Sequence, residues 1–510
     1  MSNAWARDSA PAAALPDPVE AEDVTYDPSF ELLRELAADE EVTTEFGSPA
    51  YVSEHRSRNA DRTRNAVDDE FDRDEYALLE EAADAVGERG MLCLDRRLGR
   101  HPDLSFVCRL FVPREYARIA LAWAKLCEPV SPGDATGGPP EPDFVTVQLP
   151  DRDDVAIRVL PDEGFTAVLG SDYTGEAKKS FLRLYMYRAK RRGGLGLHAG
   201  GKRVVARSPD GDLDAVGQLF LGLSATGKST LTAHGFGLEA PEEATMLQDD
   251  VCALLPDGTV AGSEGNGLYV KTIGLDPGEQ SALYEATTHE SAVLENVAVD
   301  GDGVVDFDSD EYTSNGRATV LREHLSSAAA DVDLERVDQV FFITRNPTMP
   351  PVARLDHDEA AAAFMLGESV ETSAGDPDRA GESIRVVGTN PFIIGPEGEE
   401  GNRFRDLVER LDVDCFVLNT GSLGDGSVDV GVEDTVTILR ELARGTVEWR
   451  EDPETGFTVP SRVPGLDVGA FSVADAVDDH ERRLRDLRAD RRSYLDGFEA
   501  LEDRIRNAVY

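Results

Sequence analysis

Lysine is nearly missing from this chain. Among 510 residues there are only seven: Lys125, Lys178, Lys179, Lys190, Lys202, Lys228 and Lys271. Arginine carries the other 44 positive charges. Arginine cannot stand in where a compact or deprotonated amine is required, so the surviving lysines are candidates for chemistry. Cysteine is scarce too. The five cysteines are scattered and form no C-x-x-C pair, which argues against a structural zinc site and suits a reducing cytosol. No run of 18 apolar residues occurs, so no membrane-spanning helix is expected. The first residues lack the basic and apolar regions of a secretory signal, and a cytoplasmic protein is expected. Positive charge is in deficit overall: 51 basic against 99 acidic residues, a net charge of −48. Such a surface repels nucleic acid and anionic membranes, so neither is expected as a partner. The charge is spread along the whole chain rather than held in a tail. It reads as a solubility device for a salt-rich cytoplasm, where self-repulsion is screened.

Apolar content of 41% is ample for packed cores, and the length allows two or three domains. Residues 1–28 are rich in Ala, Pro, Asp and Glu and are expected to be mobile. Residues 29–193 read as a first α/β domain, with helices near 30–38, 75–86, 113–125 and 178–188, and a Pro/Gly-rich loop over 129–142. Residues 194–510 read as a second domain of short apolar strands and tight turns. Its tail, 472–507, reads as a solvated helical cap.

The strongest motif is Gly222-Leu223-Ser224-Ala225-Thr226-Gly227-Lys228-Ser229-Thr230, which matches G-x-x-x-x-G-K-[ST]. An apolar run, Val216 to Leu221, precedes it, and a helix-compatible segment follows. That strand–loop–helix context predicts a phosphate-binding loop. Backbone N–H groups face phosphate oxygens, Lys228 adds a point charge, and Ser229 can ligate Mg²⁺. Asp249 and Asp250 follow about twenty residues later, where carboxylates commonly serve a nucleotide's metal. Tyr173-Thr174-Gly175-Glu176-Ala177-Lys178-Lys179 places paired lysines at an expected helix start, where the dipole disfavours them. A lysine crowded by another cation can lose its proton and ligate a metal. His198 precedes the motif strand. With Lys179 and Asp250 it makes an N/N/O set that suits Mn²⁺.

Several segments resemble the ATP-dependent phosphoenolpyruvate carboxykinase family, in the same order and with similar gaps. The family's Y-G-G-E-M-K-K is similar to Tyr173–Lys179, and M-H-C-S-A to Leu197-His198-Ala199-Gly200. G-L-S-G-T-G-K-T-T is similar to Gly222–Thr230, and G-D-D-E to Gln248–Val251. E-G-G-C-Y-A-K-T-I is similar to Glu264–Ile273, E-N-T-R to Ser314–Arg317, and L-V-N-T-G to Val417–Gly421. The resemblance spans roughly residues 170–445. It implies a two-domain α/β carboxykinase fold with a P-loop mononucleotide-binding C-terminal domain. It implies oxaloacetate and ATP as small-molecule substrates, Mn²⁺ and Mg²⁺ as metals, and a monomer. By the resemblance, Lys179, His198 and Asp250 bind Mn²⁺. Lys228 and Ser229 hold the phosphates and Mg²⁺, and Asp249 orients the metal's water shell. Ser224 lies in the catalytic loop, Lys271 contacts the phosphates, Tyr173 and Arg317 hold the substrate, and Thr435 joins the nucleotide contacts. The family's T-G-R-S-P segment has its nearest counterpart at residues 56–62, where Arg58 is the candidate for the substrate carboxylate. Ala225 stands where the family has Gly, Val251 where it has an acid, and Asp429 lies in a segment whose family arginine has no counterpart. A P-loop kinase similar to the HPr kinase family, and a non-catalytic nucleotide-binding paralogue, are the alternatives.

Overall fold

A computed structural model describes residues 11–57, 59–130, 139–223, 226–278, 280–370 and 383–510. The fold is mixed α/β, in two compact units. One comprises Met1–Arg188 with Ser263–Ser326, the other Ala189–Gly262 with Ser327–Tyr510. A single division at 193/194 was expected; instead, residues 263–326 return to the first unit. Strand pairing explains the return. Val293–Glu295 pairs in parallel with Pro49–Tyr51, and Arg317–Leu321 bridges Val293–Glu295 and Gly267–Lys271 in the same sheet.

The first unit also holds an eight-stranded sheet built around Met91–His101, Leu104–Pro113, Phe144–Leu149 and Phe165–Leu169. The Arg73–Ala85 helix buries Leu79, Ala82 and Ala83. They join a core that includes Met91, Phe111, Val147 and Phe165. Asp72 caps this helix by accepting from the backbone N–H groups of Asp74 and Glu75. Composition suggested mobility through residue 28, yet Val24–Tyr26 pairs in parallel with Met91–Cys93. The Tyr26 hydroxyl donates to Asp95 at 2.7 Å. The Pro/Asp-rich surroundings hid a three-residue strand.

The second unit is organised by another eight-stranded sheet. Its centre is three parallel strands, Leu213–Leu221, Gln339–Thr344 and Asp414–Asn419. Every residue of Gln339–Thr344 is buried, as expected for a strand covered on both faces. One face stacks Phe220, Phe341 and Phe416 with ring centroids 5.2 Å apart at each step. The other packs the His357–Leu366 and Glu397–Leu411 helices through Phe364 and Phe404. The tail is not the solvated cap its charge pattern suggested. Among its helices, Val473–Ala476, His480–Leu495 and Asp503–Asn507, residues Leu484, Arg491, Leu495 and Ile505 are buried in this unit. In His480–Leu495, spacings of seven and four put Leu484, Arg491 and Leu495 on one helix face. No helix among the described residues is long and apolar enough to cross a membrane.

Candidate active site

In the second unit the Leu213–Leu221 strand leads into the Gly-rich loop, which ends at the Lys228–Ala233 helix. Two glycines there are demanded by geometry. Gly227 has φ +95° at the helix N-cap, a left-handed conformation that glycine adopts without strain. At Gly222 a Cβ would lie 2.5 Å from Thr226 Oγ1 and 3.1 Å from Ile343 Cβ. The Thr226 hydroxyl donates to Leu223 O at 2.8 Å, and Thr420 donates to Thr226 O at 2.8 Å. Thus the loop is seated on the carboxyl ends of the two neighbouring parallel strands, where α/β sheets commonly bind ligands. Ser224 and Ala225 lie outside the described residues.

Lys228 leads a compact polar group. Its Nζ lies 3.2 Å from His198 Nε2 and 3.8 Å from Asp250 Oδ1. His198 Nε2 is 3.0 Å from that same carboxylate oxygen. The other ring nitrogen, Nδ1, is 2.7 Å from Thr389 O. A carbonyl only accepts, so Nδ1 carries the proton, and Nε2 of the neutral ring accepts from the Lys228 ammonium, with the Asp250 carboxylate beside both. Burial and the adjacent Lys228 ammonium hold the His198 pKa below its usual value, against the pull of Asp250. A metal-ligating histidine has this form, its second nitrogen donating to a carbonyl. Beside it, Ser229 Oγ donates to Asp249 Oδ2 at 3.0 Å. Asp249 Oδ1 is buried without a hydrogen-bond partner among the described residues. A buried carboxylate oxygen left unsatisfied is costly, and a cation is the natural partner. The residues therefore fit divalent cations. Among the described residues no three His, Cys, Asp or Glu side chains gather to hold a metal by themselves. Thr435, on the Val432–Ala443 helix, is buried, and its hydroxyl donates to Gly431 O at 3.1 Å.

The remaining described candidates lie in the first unit. Its Thr174–Arg191 helix starts four residues before the expected position. Lys178 and Lys179 therefore occupy the second turn, away from the unfavourable dipole end that had made them look odd. Lys179 Nζ stands 4.8 Å from the centroid of the buried Tyr173 ring. Lys178 Nζ and the Arg317 guanidinium stand 5.6 and 5.5 Å from the Tyr269 ring. Lys178 also pairs with Glu264 at 3.2 Å. Lys271 and Arg317 are cross-strand partners. Asn315 links the group: it accepts from Arg317 at 2.8 Å and donates to Tyr173 Oη at 3.3 Å and to Arg56 O at 2.8 Å.

Arg58 lies outside the described residues. Arg56, two positions earlier, joins the Asn315 group through its backbone, while its guanidinium donates to Tyr312 O at 2.6 Å. The signal for it was present: Arg56-Ser57 repeats the Arg-Ser order of the family segment. Glu295 lies in Val293–Val297, a segment similar to the family's L-L-E-N-V, but was not singled out as a site residue. Glu295 accepts from the Tyr269 hydroxyl and from Thr174 N, the latter at 3.1 Å, and lies 3.7 Å from Arg118. Burial raises the Glu295 pKa, with Arg118 opposing.

The phosphoenolpyruvate carboxykinase family model matches residues 43–468. The chain is 37% identical to the ATP phosphoenolpyruvate carboxykinase of Aeropyrum pernix over 481 residues, covering 93% of this chain and 94% of that one. It is 31% identical to the Chelativorans enzyme of the same name over 310 residues, covering 58% and 54% of the two chains. With the Mesorhizobium japonicum enzyme, again of that name, it shares 29% identity over 360 residues, covering 66% and 64%.

Proposed function

The chain belongs to the phosphoenolpyruvate carboxykinase family, and on that premise we propose that it converts oxaloacetate and ATP into phosphoenolpyruvate, CO₂ and ADP. The observation that carries the proposal is the Lys228, His198 and Asp250 group. It brings an ammonium, an imidazole lone pair and a carboxylate together at 3.0 to 3.8 Å, next to the Ser229–Asp249 pair. A kinase of HPr kinase type has no support from the family match, which runs through most of the chain.

The reaction sets the requirements. Loss of CO₂ leaves the electron pair of the broken C–C bond on the substrate as an enolate. The enolate oxygen then attacks the γ-phosphorus, and ADP departs with the bridging oxygen's electrons. Both reactants are anions, so the site must supply positive charge and alignment. Lys228 and the backbone N–H groups of the Gly-rich loop hold the phosphates, and the family resemblance assigns Lys271 to them as well. Thr435 belongs to the nucleotide side. Arg317, oriented by Asn315, holds a substrate carboxylate with Tyr173 and Arg56. His198 and Asp250 hold Mn²⁺, with Lys179 assigned by the family resemblance; Ser229 and Asp249 hold Mg²⁺. When bound, these ions supply positive charge to the enolate and phosphate oxygens. The protein works as a cytoplasmic monomer in a salt-rich cell.

The purified chain with Mn²⁺, Mg²⁺, ATP and oxaloacetate in molar KCl forms phosphoenolpyruvate; ATP turnover without phosphoenolpyruvate overturns the proposal. His198→Ala removes the Mn²⁺-dependent step, lowering kcat by at least about 100-fold, and leaves the Kd for ATP within about threefold. Full activity in that variant defeats the metal assignment.

A further inference from the structure

Arg345 differs from the buried arginines that this chain pairs with acids. Acids outnumber bases almost two to one, and several buried arginines are matched to carboxylates: Arg109 to Asp95, Arg118 to Asp172, Arg405 to Asp358 and Arg491 to Glu368. Arg345 is half-buried, and among the described residues it has neither a carboxylate within ion-pair distance nor a hydrogen-bond acceptor for its buried Nε. Burial pushes its pKa down, and no neighbouring acid acts the other way. A guanidinium left in that condition costs free energy unless an anion completes it.

Its position indicates which anion. Arg345 directly follows the Gln339–Thr344 strand, which runs parallel to the Leu213–Leu221 strand with Phe342 opposite Leu221. Both chains leave the sheet at the same edge, and Ile343 packs on Gly222 at the start of the Gly-rich loop. On the other side, Thr420 N donates to Thr344 O at 2.9 Å while its hydroxyl donates to Thr226 O. Gly421 leaves room for the arginine: a Cβ there would sit 3.2 Å from Arg345 Cβ. So the unmatched guanidinium is rooted between the two segments that hold the loop.

We propose that Arg345 binds the phosphate chain of the nucleotide as a second cation alongside Lys228. The proposal rests on the reading of 222–230 as the nucleotide's phosphate-binding loop. Arginine suits the role because its planar donors can grip two phosphate oxygens at once.

The test is titration calorimetry of the full chain with ATP, ADP and adenosine, for wild type, Arg345→Gln and Arg345→Lys at one fixed KCl concentration. Arg345→Gln is expected to weaken ATP and ADP by roughly 10- to 100-fold, the usual worth of a charged hydrogen-bonding group. Arg345→Lys recovers part of the loss, and adenosine binds all three equally. Unchanged ATP affinity in Arg345→Gln overturns the proposal while leaving the loop reading intact. Equal losses for adenosine and ATP overturn it as well, since the contact is then to base or ribose. A wild-type chain that binds no nucleotide overturns the loop reading and this proposal with it. Phenylglyoxal labelling of the wild-type chain, read by mass spectrometry, needs no variant to fold. ATP, but not adenosine, should protect Arg345; labelling indifferent to ATP counts against the contact.

Discussion

Asn315 carries no charge and still organises charge. One side-chain amide accepts from Arg317 and donates to Tyr173 Oη and to the Arg56 carbonyl. Removing it leaves Arg317 free to rotate and its partners unsatisfied, while the described contacts of the Gly-rich loop are not touched. Asn315→Ala should therefore raise KM for oxaloacetate by roughly 10-fold, the worth of one hydrogen bond to a charged group. KM for ATP should stay within about twofold. Steady-state kinetics with each substrate varied in turn checks the split, and equal changes in both constants would refute it. At this scale the sequence was most legible where spacing is rigid. The 222–230 loop and the Asp249-Asp250 pair are contiguous, so their chemistry is written in the order of residues. His198 was legible as a candidate ligand, but the proton that its ring carries was not, because its Thr389 partner is 191 positions away. Arg345 was illegible, and Glu295 was legible as part of a family-like segment but not in its role. Their character comes from burial and from which charges neighbour them or do not, and neither is a local property.

Elements were predicted well where an amphipathic period or a cap governs them, and poorly where partners from distant sequence decide. The expected helix at 75–86 is observed as Arg73–Ala85, with an Asp72 cap that local chemistry explains. The return of 263–326 to the first unit had no local signal, since strand pairing alone enforces it. The C-terminal helix His480–Leu495 is the clearest case. Its sequence is dense in arginine and aspartate, but Arg491 is 1% exposed and donates to Glu368 on the Glu368–Val370 strand and to Tyr510 O. Burial works against the Glu368 carboxylate, yet Arg491 and Arg385 outweigh it and hold its pKa below the usual value. A depressed carboxylate stabilises the fold fully above its unfolded value of about 4.5, and the contribution is lost as pH falls through the lower, folded value. Glu368→Gln leaves a buried guanidinium without its counter-charge and should cost about 3–5 kcal/mol at pH 7. Urea denaturation of wild type and variant from pH 7 down to pH 3 should show the difference shrinking below pH 4.5. A constant difference would mean that packing, not charge, holds this helix.

At the scale of the molecule the governing quantity is the net charge of −48. Two effects of salt oppose each other. Exposed ion pairs such as Arg482–Asp486 and Arg462–Glu448 weaken as salt screens them, but such pairs are worth only about 0–1 kcal/mol each. Repulsion among the 48 excess negative charges acts on the whole compact state. It is relieved as the screening length falls from about 10 Å at 0.1 M to about 3 Å at 1 M. The excess outweighs the pairs, so the sign is set: stability rises with KCl. Thermal unfolding of the wild-type chain should show Tm increasing by roughly 10 °C or more between 0.1 and 2 M KCl, the equivalent of a few kcal/mol in units of this size. Replacing KCl with sucrose separates screening from general exclusion effects, because sucrose strengthens burial without screening charge. A Tm that falls with KCl would show the surface pairs, rather than the uncompensated acids, to dominate, and would remove the ground for placing this protein in a salt-rich cell.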